Sequence, residues 1–211
     1  MSHVLVMAKA PVAGRVKTRL CPPCTPEEAA ALAEAALADT LDAVGACGAG
    51  RRILALDGAP GPWLPPGFEV IPQVDGPFDR RLAAAWAVAA GAGVQIGMDT
   101  PQVTAGLLDD ALAALDSTSA ALGLAADGGW WAIALRRPDR RVFAGLPMST
   151  AGTGAAQHAR LVALGLSVTE LPTLVDLDTA AELPAVTASG SAIRTASLGR
   201  RMGMLPAATA V

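Results

Sequence analysis

Val4-Leu-Val-Met-Ala-Lys-Ala-Pro-Val-Ala-Gly-Arg-Val-Lys-Thr-Arg19 joins an apolar run to a loop with four cations, one glycine and no acid. Val4 to Ala8 is short and continuously apolar, the pattern of a strand covered on both faces. The charges begin where that strand should end. In open α/β sheets the carboxyl ends of the strands border the ligand crevice, so Lys9, Arg15, Lys17 and Arg19 are expected along one edge. Gly14 would let the backbone come close to a ligand. Such a loop suits phosphate; a solvated basic loop is the plain alternative.

Beyond it, strands and helices alternate. Thr25-Pro-Glu-Glu28 reads as a capping box with proline at the first helical position, and Leu32, Ala36, Leu37 and Leu41 form an apolar stripe behind it. Arg51 to Asp57 and Phe68 to Ile71 are strand-like, residues 79–90 helical, and Val94 to Met98 strand-like again. Thr104 caps a further helix. This order predicts an α/β protein with three α/β/α layers and a mostly parallel sheet. Ala120 to Leu124 and Trp130 to Leu135 are separated only by Ala125-Ala-Asp-Gly-Gly129, too short for a crossover helix, so a local antiparallel pair is expected there. A helix from Thr153 to Gly165, a strand from Ser167 to Leu171 and a capping box at Thr179-Ala-Ala-Glu182 complete the pattern. Residues 1–186 then form one domain. Residues 187–211, rich in Ala, Gly and Ser and without clear periodicity, read as a weakly ordered tail or a partner-packing extension.

Composition bounds the function. Sixteen Lys and Arg against nineteen Asp and Glu give a formal charge of −3, so no global basic field for nucleic acid exists and any anion site is local. The chain is 52% apolar with mean hydropathy +0.42, yet its candidate span, Leu82 to Met98, is short and broken by Gly91, Gly93 and Gln95. No secretory signal opens the sequence, and a cytoplasmic protein is expected. Cys21-Pro-Pro-Cys24 lacks a second ligand pair for zinc, and the odd Cys47 argues against a disulfide framework. The apolar composition and the tail would suit a homodimer.

Asp99, after Ile96-Gly-Met98, should emerge at a strand end into the crevice used by the basic loop. Asp176 and Asp178 follow the last strand, and alternation lets both face one side; a turn or helix cap is the other reading of each. A nucleotide diphosphate bridged by a divalent cation needs carboxylate oxygens of this kind, one set from each of two strand ends.

Lys9-Ala-Pro-Val-Ala-Gly-Arg-Val-Lys-Thr-Arg-Leu20, Ile96-Gly-Met-Asp-Thr-Pro101, Asp127-Gly-Gly-Trp-Trp131 and Asp176-Leu-Asp-Thr179 together resemble the signatures of a GT-A-like bacterial transferase family. Its members are called radical-SAM/selenodomain-associated transferases of type 1, or a glycosyltransferase family of unknown function. Gln73 to Leu82 resembles its glutamine-and-glycine segment. The wider group includes molybdopterin and phospholactate guanylyltransferases.

The resemblance implies a GT-A, or nucleotide-diphospho-sugar transferase, fold. It implies nucleotide binding by Lys9, Gly14, Arg15, Lys17, Arg19 and Gln73, and Mg²⁺ or Mn²⁺ on Asp99 completed by Asp176 or Asp178. The small-molecule acceptor would enter past Gly128, Gly129, Trp130 and Trp131, with Asp99 and Asp127 as catalytic acids. Four positions depart from the pattern: Ala126 stands where the family usually has glutamate, Trp130 and Trp131 where it has tyrosines, and Asp79 where it has glycine. Tryptophan keeps a stacking surface and one N–H donor. The expected activity is glycosyl transfer from a sugar nucleotide, with nucleotidyl transfer releasing pyrophosphate, or nucleotide binding without turnover, as alternatives.

Overall fold

The structure, a computed structural model, describes residues 1–207. Seven strands, β1 (His3–Lys9), β2 (Arg51–Asp57), β3 (Glu69–Pro72), β4 (Gly93–Ile96), β5 (Ala120–Ala125), β6 (Trp130–Leu135) and β7 (Val168–Leu174), form one sheet in the order β3-β2-β1-β4-β6-β5-β7. Only β6 runs against its neighbours; every other adjacent pair is parallel. The reversal is the hairpin anticipated from the short Asp-Gly connection.

Alternation along β1 builds the layers. Val4, Val6 and Ala8 point to one face, where they meet Leu37 and Leu41 of α1 (Pro26–Ala46) and Leu108 of α3 (Ala105–Ala113). Leu5 and Met7 point to the other, against Leu82 and Trp86 of α2 (Phe78–Ala89) and Leu161 of α4 (Thr153–Ala163). Each fully buried leucine contributes roughly 1.5–3 kcal/mol of transfer free energy, so both covering layers are held by the same central strands. Both capping boxes form: Thr25 pairs reciprocally with Glu28, and Thr179 with Glu182. Thr104 caps α3 by accepting from the Leu107 amide. Strand β4 stops at Ile96, short of Met98, because Met98 leaves the ladder and its sulfur accepts from the Lys9 amide at 3.2 Å.

The C-terminal segment differs from the sequence reading. Residues 193–201 form α6 (Ile193–Arg201), which packs on α1 of its own chain beside α5 (Leu183–Thr187). Leu198, Met202, Met204 and Leu205 join Leu32, Ala36 and Leu177 in a third apolar cluster. The stripe on α1 is therefore two faces, Leu37 and Leu41 toward the sheet and Leu32 and Ala36 toward the C-terminal segment. Asp39, in α1, accepts from the Arg194 and Thr195 amides at 3.0 and 2.9 Å and so caps α6 from a neighbouring helix. Periodicity in residues 187–211 could not announce this, since the cap lies elsewhere in the chain. The last four residues of the expected tail, 208–211, lie outside the described residues. Among the described residues no helix is long and apolar enough to cross a membrane.

His3 is wholly buried, edge-on to Trp86 at 5.2 Å, with neither ring nitrogen hydrogen-bonded. Burial first, and then the charge of Arg51, push it down to about 4; the Ala90 and Ala92 carbonyls beside the ring oppose the shift without meeting hydrogen-bond geometry. Between about pH 6.5 and 4 the unfolded chain takes up a proton that the native chain refuses, so this residue's contribution to stability is present at neutral pH and lost as pH falls. Chemical denaturation across that range should show wild type losing roughly 3 kcal/mol more than His3→Phe. Parallel profiles for the two proteins would contradict this account of His3.

Candidate functional site

The carboxyl ends of the parallel strands open into a cleft of about 910 Å³. Lys9, Arg15, Lys17, Arg19, Gln73, Asp99, Asp127, Gly129, Trp130, Trp131, Asp176 and Asp178 all border it; Gly14 and Gly128 do not. Residues from four expected motifs thus converge on one space. Val16 is buried in the core below and anchors the basic loop, while Lys9 and Arg15 are exposed and have no ion pair among the described residues. Gly14 turns the loop at φ +74 on its outer side.

The acid side is built by Leu177. Its side chain is buried in the third cluster, its amide donates to the Asp99 carbonyl at 2.8 Å, and the flanking Asp176 and Asp178 border the cleft. The alternation expected of Asp176-Leu177-Asp178 is therefore present, and Thr179, rather than either aspartate, is the helix cap. Gln102 adds a second tie between the two loops by donating to the Val175 carbonyl at 2.6 Å.

Lys17 lies among these acids, not beside the exposed cations. Its ammonium contacts Asp99 Oδ1 and the Leu177 carbonyl and lies 3.7 Å from Asp178 Oδ1; Arg19 takes Asp178 Oδ2 at 2.7 Å. Burial, followed by the charges of Asp99, Asp127 and Asp178, pushes the Asp176 carboxyl up to about 7 against the pull of Lys17. The carboxylates thus have the chemistry a hard divalent cation requires, with net repulsion left for one to relieve. Among the described residues, however, no three His, Cys, Asp or Glu side chains are grouped to hold a metal.

Other residues make contacts that the sequence did not announce. The Gln73 amide donates to the Ala8 and Ala55 carbonyls, both at 2.9 Å, and its oxygen accepts from Arg81 at 3.0 Å. It ties β1 to β2 and aims Arg81, so its donors are already used inside the protein. Arg81, which the sequence did not single out, reaches the cleft with its guanidinium 5.1 Å from the Phe78 ring centre. Trp131 is core: it is 2% exposed and its one donor goes to the Pro172 carbonyl at 2.9 Å. Trp130 is half-buried and borders the cleft with more of its ring exposed than Trp131. Gln95 and the Met148–Ala151 loop also border it and carried no sequence signal beyond polarity.

The Asp127-Gly-Gly turn is a docking joint. Asp127 Oδ1 accepts from the Gly129 amide at 2.7 Å, and the Gly154 amide, in the first turn of α4, donates to the Gly128 carbonyl at 2.8 Å. Gly128 sits at φ +89, and a Cβ there would lie 2.0 Å from the Ala151 carbonyl oxygen. This contact holds the turn against the start of α4. Gly128→Ala should destabilise the protein by about 2–4 kcal/mol in urea titrations, since backbone strain and a backbone clash coincide. A loss below about 0.5 kcal/mol would show that the loop is not pinned here.

The fold is α/β, of the nucleotide-diphospho-sugar transferase type. Over 96% of this chain and 95% of the other, it superposes with TM-score 0.86 and 26% identity on a protein from Desulfovibrio desulfuricans G20 provisionally assigned as a nucleotide-diphospho-sugar transferase. A cytidylyltransferase from Leptospira borgpetersenii serovar Hardjo-bovis (strain JB197) is similar in fold, with TM-score 0.58 and 11% identity over 100% of this chain and 98% of that one. So is CMP:2-keto-3-deoxy-manno-octonic acid synthetase in complex with CTP, with TM-score 0.53 and 14% identity over 89% and 97% of the two chains. No curated protein compared with the chain matches it. Residues 30–150 match the family described as "Uncharacterized protein conserved in bacteria (DUF2064)", and the chain belongs to that family.

Proposed function

We propose that the protein is a nucleotide-dependent transferase that moves a glycosyl group from a sugar nucleotide to a small acceptor. The observation that carries this reading is the pairing, across one strand-end cleft, of the unpaired cations Lys9 and Arg15 with the acids Asp99, Asp176 and Asp178. The 26% identity to the Desulfovibrio protein over nearly the whole chain supports it; the two cytidylyltransferase-type structures support the fold alone. Membership of the radical-SAM-associated group, suggested by the motifs, belongs with this reading.

Lys9 and Arg15 would neutralise the donor phosphates, and Trp130 would offer its ring face to donor or acceptor. Asp127 has one oxygen fixed by Gly129 and its other without a hydrogen bond among the described residues. That oxygen would orient the acceptor hydroxyl and take its proton. Asp99, with Asp176 or Asp178, would hold Mg²⁺ or Mn²⁺, which when bound supplies positive charge against the leaving diphosphate. Fixed charge and positioning, rather than a covalent step, carry the rate in this scheme.

Sugar nucleotides should raise the melting temperature, with a larger rise when Mn²⁺ or Mg²⁺ is present. Asp99→Asn should erase the metal-dependent increment and the turnover while leaving the ligand-free protein within about 1 kcal/mol of wild type, since the side chain is 46% exposed. Released nucleoside diphosphate would identify glycosyl transfer, and pyrophosphate from a nucleoside triphosphate would replace it with nucleotidyl transfer. Binding without either product would leave a nucleotide-binding protein, and full activity in Asp99→Asn would remove the metal assignment.

Arg15→Ala should weaken nucleotide binding several-fold at about 50 mM salt and much less near 0.5 M, because the cation is exposed and screened. Calorimetric titration at both ionic strengths checks this. Equal losses would argue against a phosphate contact.

A further inference from the structure

The chain contains only two lysines, Lys9 and Lys17, among sixteen Lys and Arg, and both border the cleft. Lys9 is exposed and unpaired among the described residues, whereas the Lys17 side chain is 6% exposed. Lys17 also sits at φ 47, ψ 36, a left-handed conformation uncommon for a lysine. Its ammonium carries three donors, and three oxygens surround it, from Asp99, Leu177 and Asp178. An ammonium is a compact point charge on a flexible stem, unlike the planar forked guanidinium that every other cationic side chain here carries except Lys9.

Those oxygens come from the same residues that would hold a divalent cation. Two cations cannot share Asp99 Oδ1 without strong repulsion at contact distance. Binding such an ion therefore requires the ammonium to leave, and the anionic ligand expected near Lys9 and Arg15 provides somewhere for it to go.

We propose that Lys17 is an exchangeable internal counter-ion. In the ligand-free chain it holds Asp99 and Asp178; when a nucleoside diphosphate group enters, the ammonium swings onto the phosphates and releases the two carboxylates to a divalent cation. Nucleotide and cation then bind with positive coupling, each removing an obstacle to the other. This inference rests on the nucleotide-dependent reading above and adds the device that orders its ligands.

The test is a binding measurement without turnover. Mn²⁺ is titrated into the nucleotide-free full chain and free Mn²⁺ is followed by electron paramagnetic resonance, for wild type, Lys17→Gln and Lys17→Met. Both substitutions should tighten Mn²⁺ at least about tenfold, because each removes the competing charge. Lys17→Gln keeps a donor for the Leu177 carbonyl, which guards against loss of the fold. In parallel, nucleoside diphosphate binding in EDTA should weaken several-fold in both variants.

Should neither variant fold, wild type alone decides by amine acylation and mass spectrometry, with Lys9 as the exposed internal standard. Saturating Mn²⁺ should raise Lys17 labelling relative to Lys9. Unchanged or weaker Mn²⁺ binding in folded variants, or Lys17 labelling indifferent to Mn²⁺, overturns the counter-ion role even if nucleotide binds. Absence of any nucleotide binding by wild type overturns the underlying reading as well.

Discussion

Like charges brought to the ends of neighbouring strands must be neutralised, and the cleft is organised around that requirement. Parallel pairing of β1 with β4 and of β5 with β7, joined through the reversed β6, leaves the loops after β1, β4 and β7 at one edge of the sheet. The first loop contributes cations and the other two contribute acids. Leu177 converts this proximity into a fixed geometry. Its buried side chain secures one acid loop, its amide holds the other, and its carbonyl receives Lys17. A backbone so fixed costs little to reorganise when charge arrives, which is the property a site acting on phosphates needs.

The opposite wall is held by close backbone approach, without charge pairing. The β5–β6 turn and the first turn of α4 touch through Gly128 and Gly154, so the half of the cleft containing Asp127, Trp130 and the Met148–Ala151 loop is tied together by backbone contact. Gln73 does similar work on the third side, binding two strands and presenting Arg81. Several residues in the motifs thus shape the cleft by holding other groups.

What the sequence made legible follows from which interactions are local. Capping boxes at Thr25 and Thr179, the apolar run of β1 and the short hairpin connection lie within a few residues of the structures they specify, and all were readable. The convergence of the basic loop with Asp99, Asp176 and Asp178 was readable too, because strand ends share an edge in any such sheet. Interactions spanning long separations were not. Asp39 caps a helix about 150 residues later, Lys17 finds its partners in two loops far along the chain, and Trp131 rather than Trp130 turns inward, where β7 supplies the Pro172 carbonyl. Nothing in Trp-Trp distinguishes the two until the pleat and the neighbouring strand are known.

Asp176 shows what this arrangement costs. An ordinary aspartate ionises well below neutral pH, whereas this one is held up to about 7, so between those limits the native chain retains a proton that the unfolded chain has released. Native stability therefore declines through this group as pH rises, opposite in sign to the contribution of His3. His3 lies at the other end of β1, where burial and the charge of Arg51 act on it, and it does not border the cleft. Asp176 borders the cleft, where added positive charge would offset the part of the penalty that comes from Asp99, Asp127 and Asp178. A destabilised carboxyl is tolerable in a fold whose two covering layers and C-terminal cluster bury so many leucines, and it keeps the acid side of the cleft electrostatically unsatisfied by Lys17 and Arg19 alone. On the proposed reading, that residual negative potential would favour a cation and an anionic ligand arriving together over either alone.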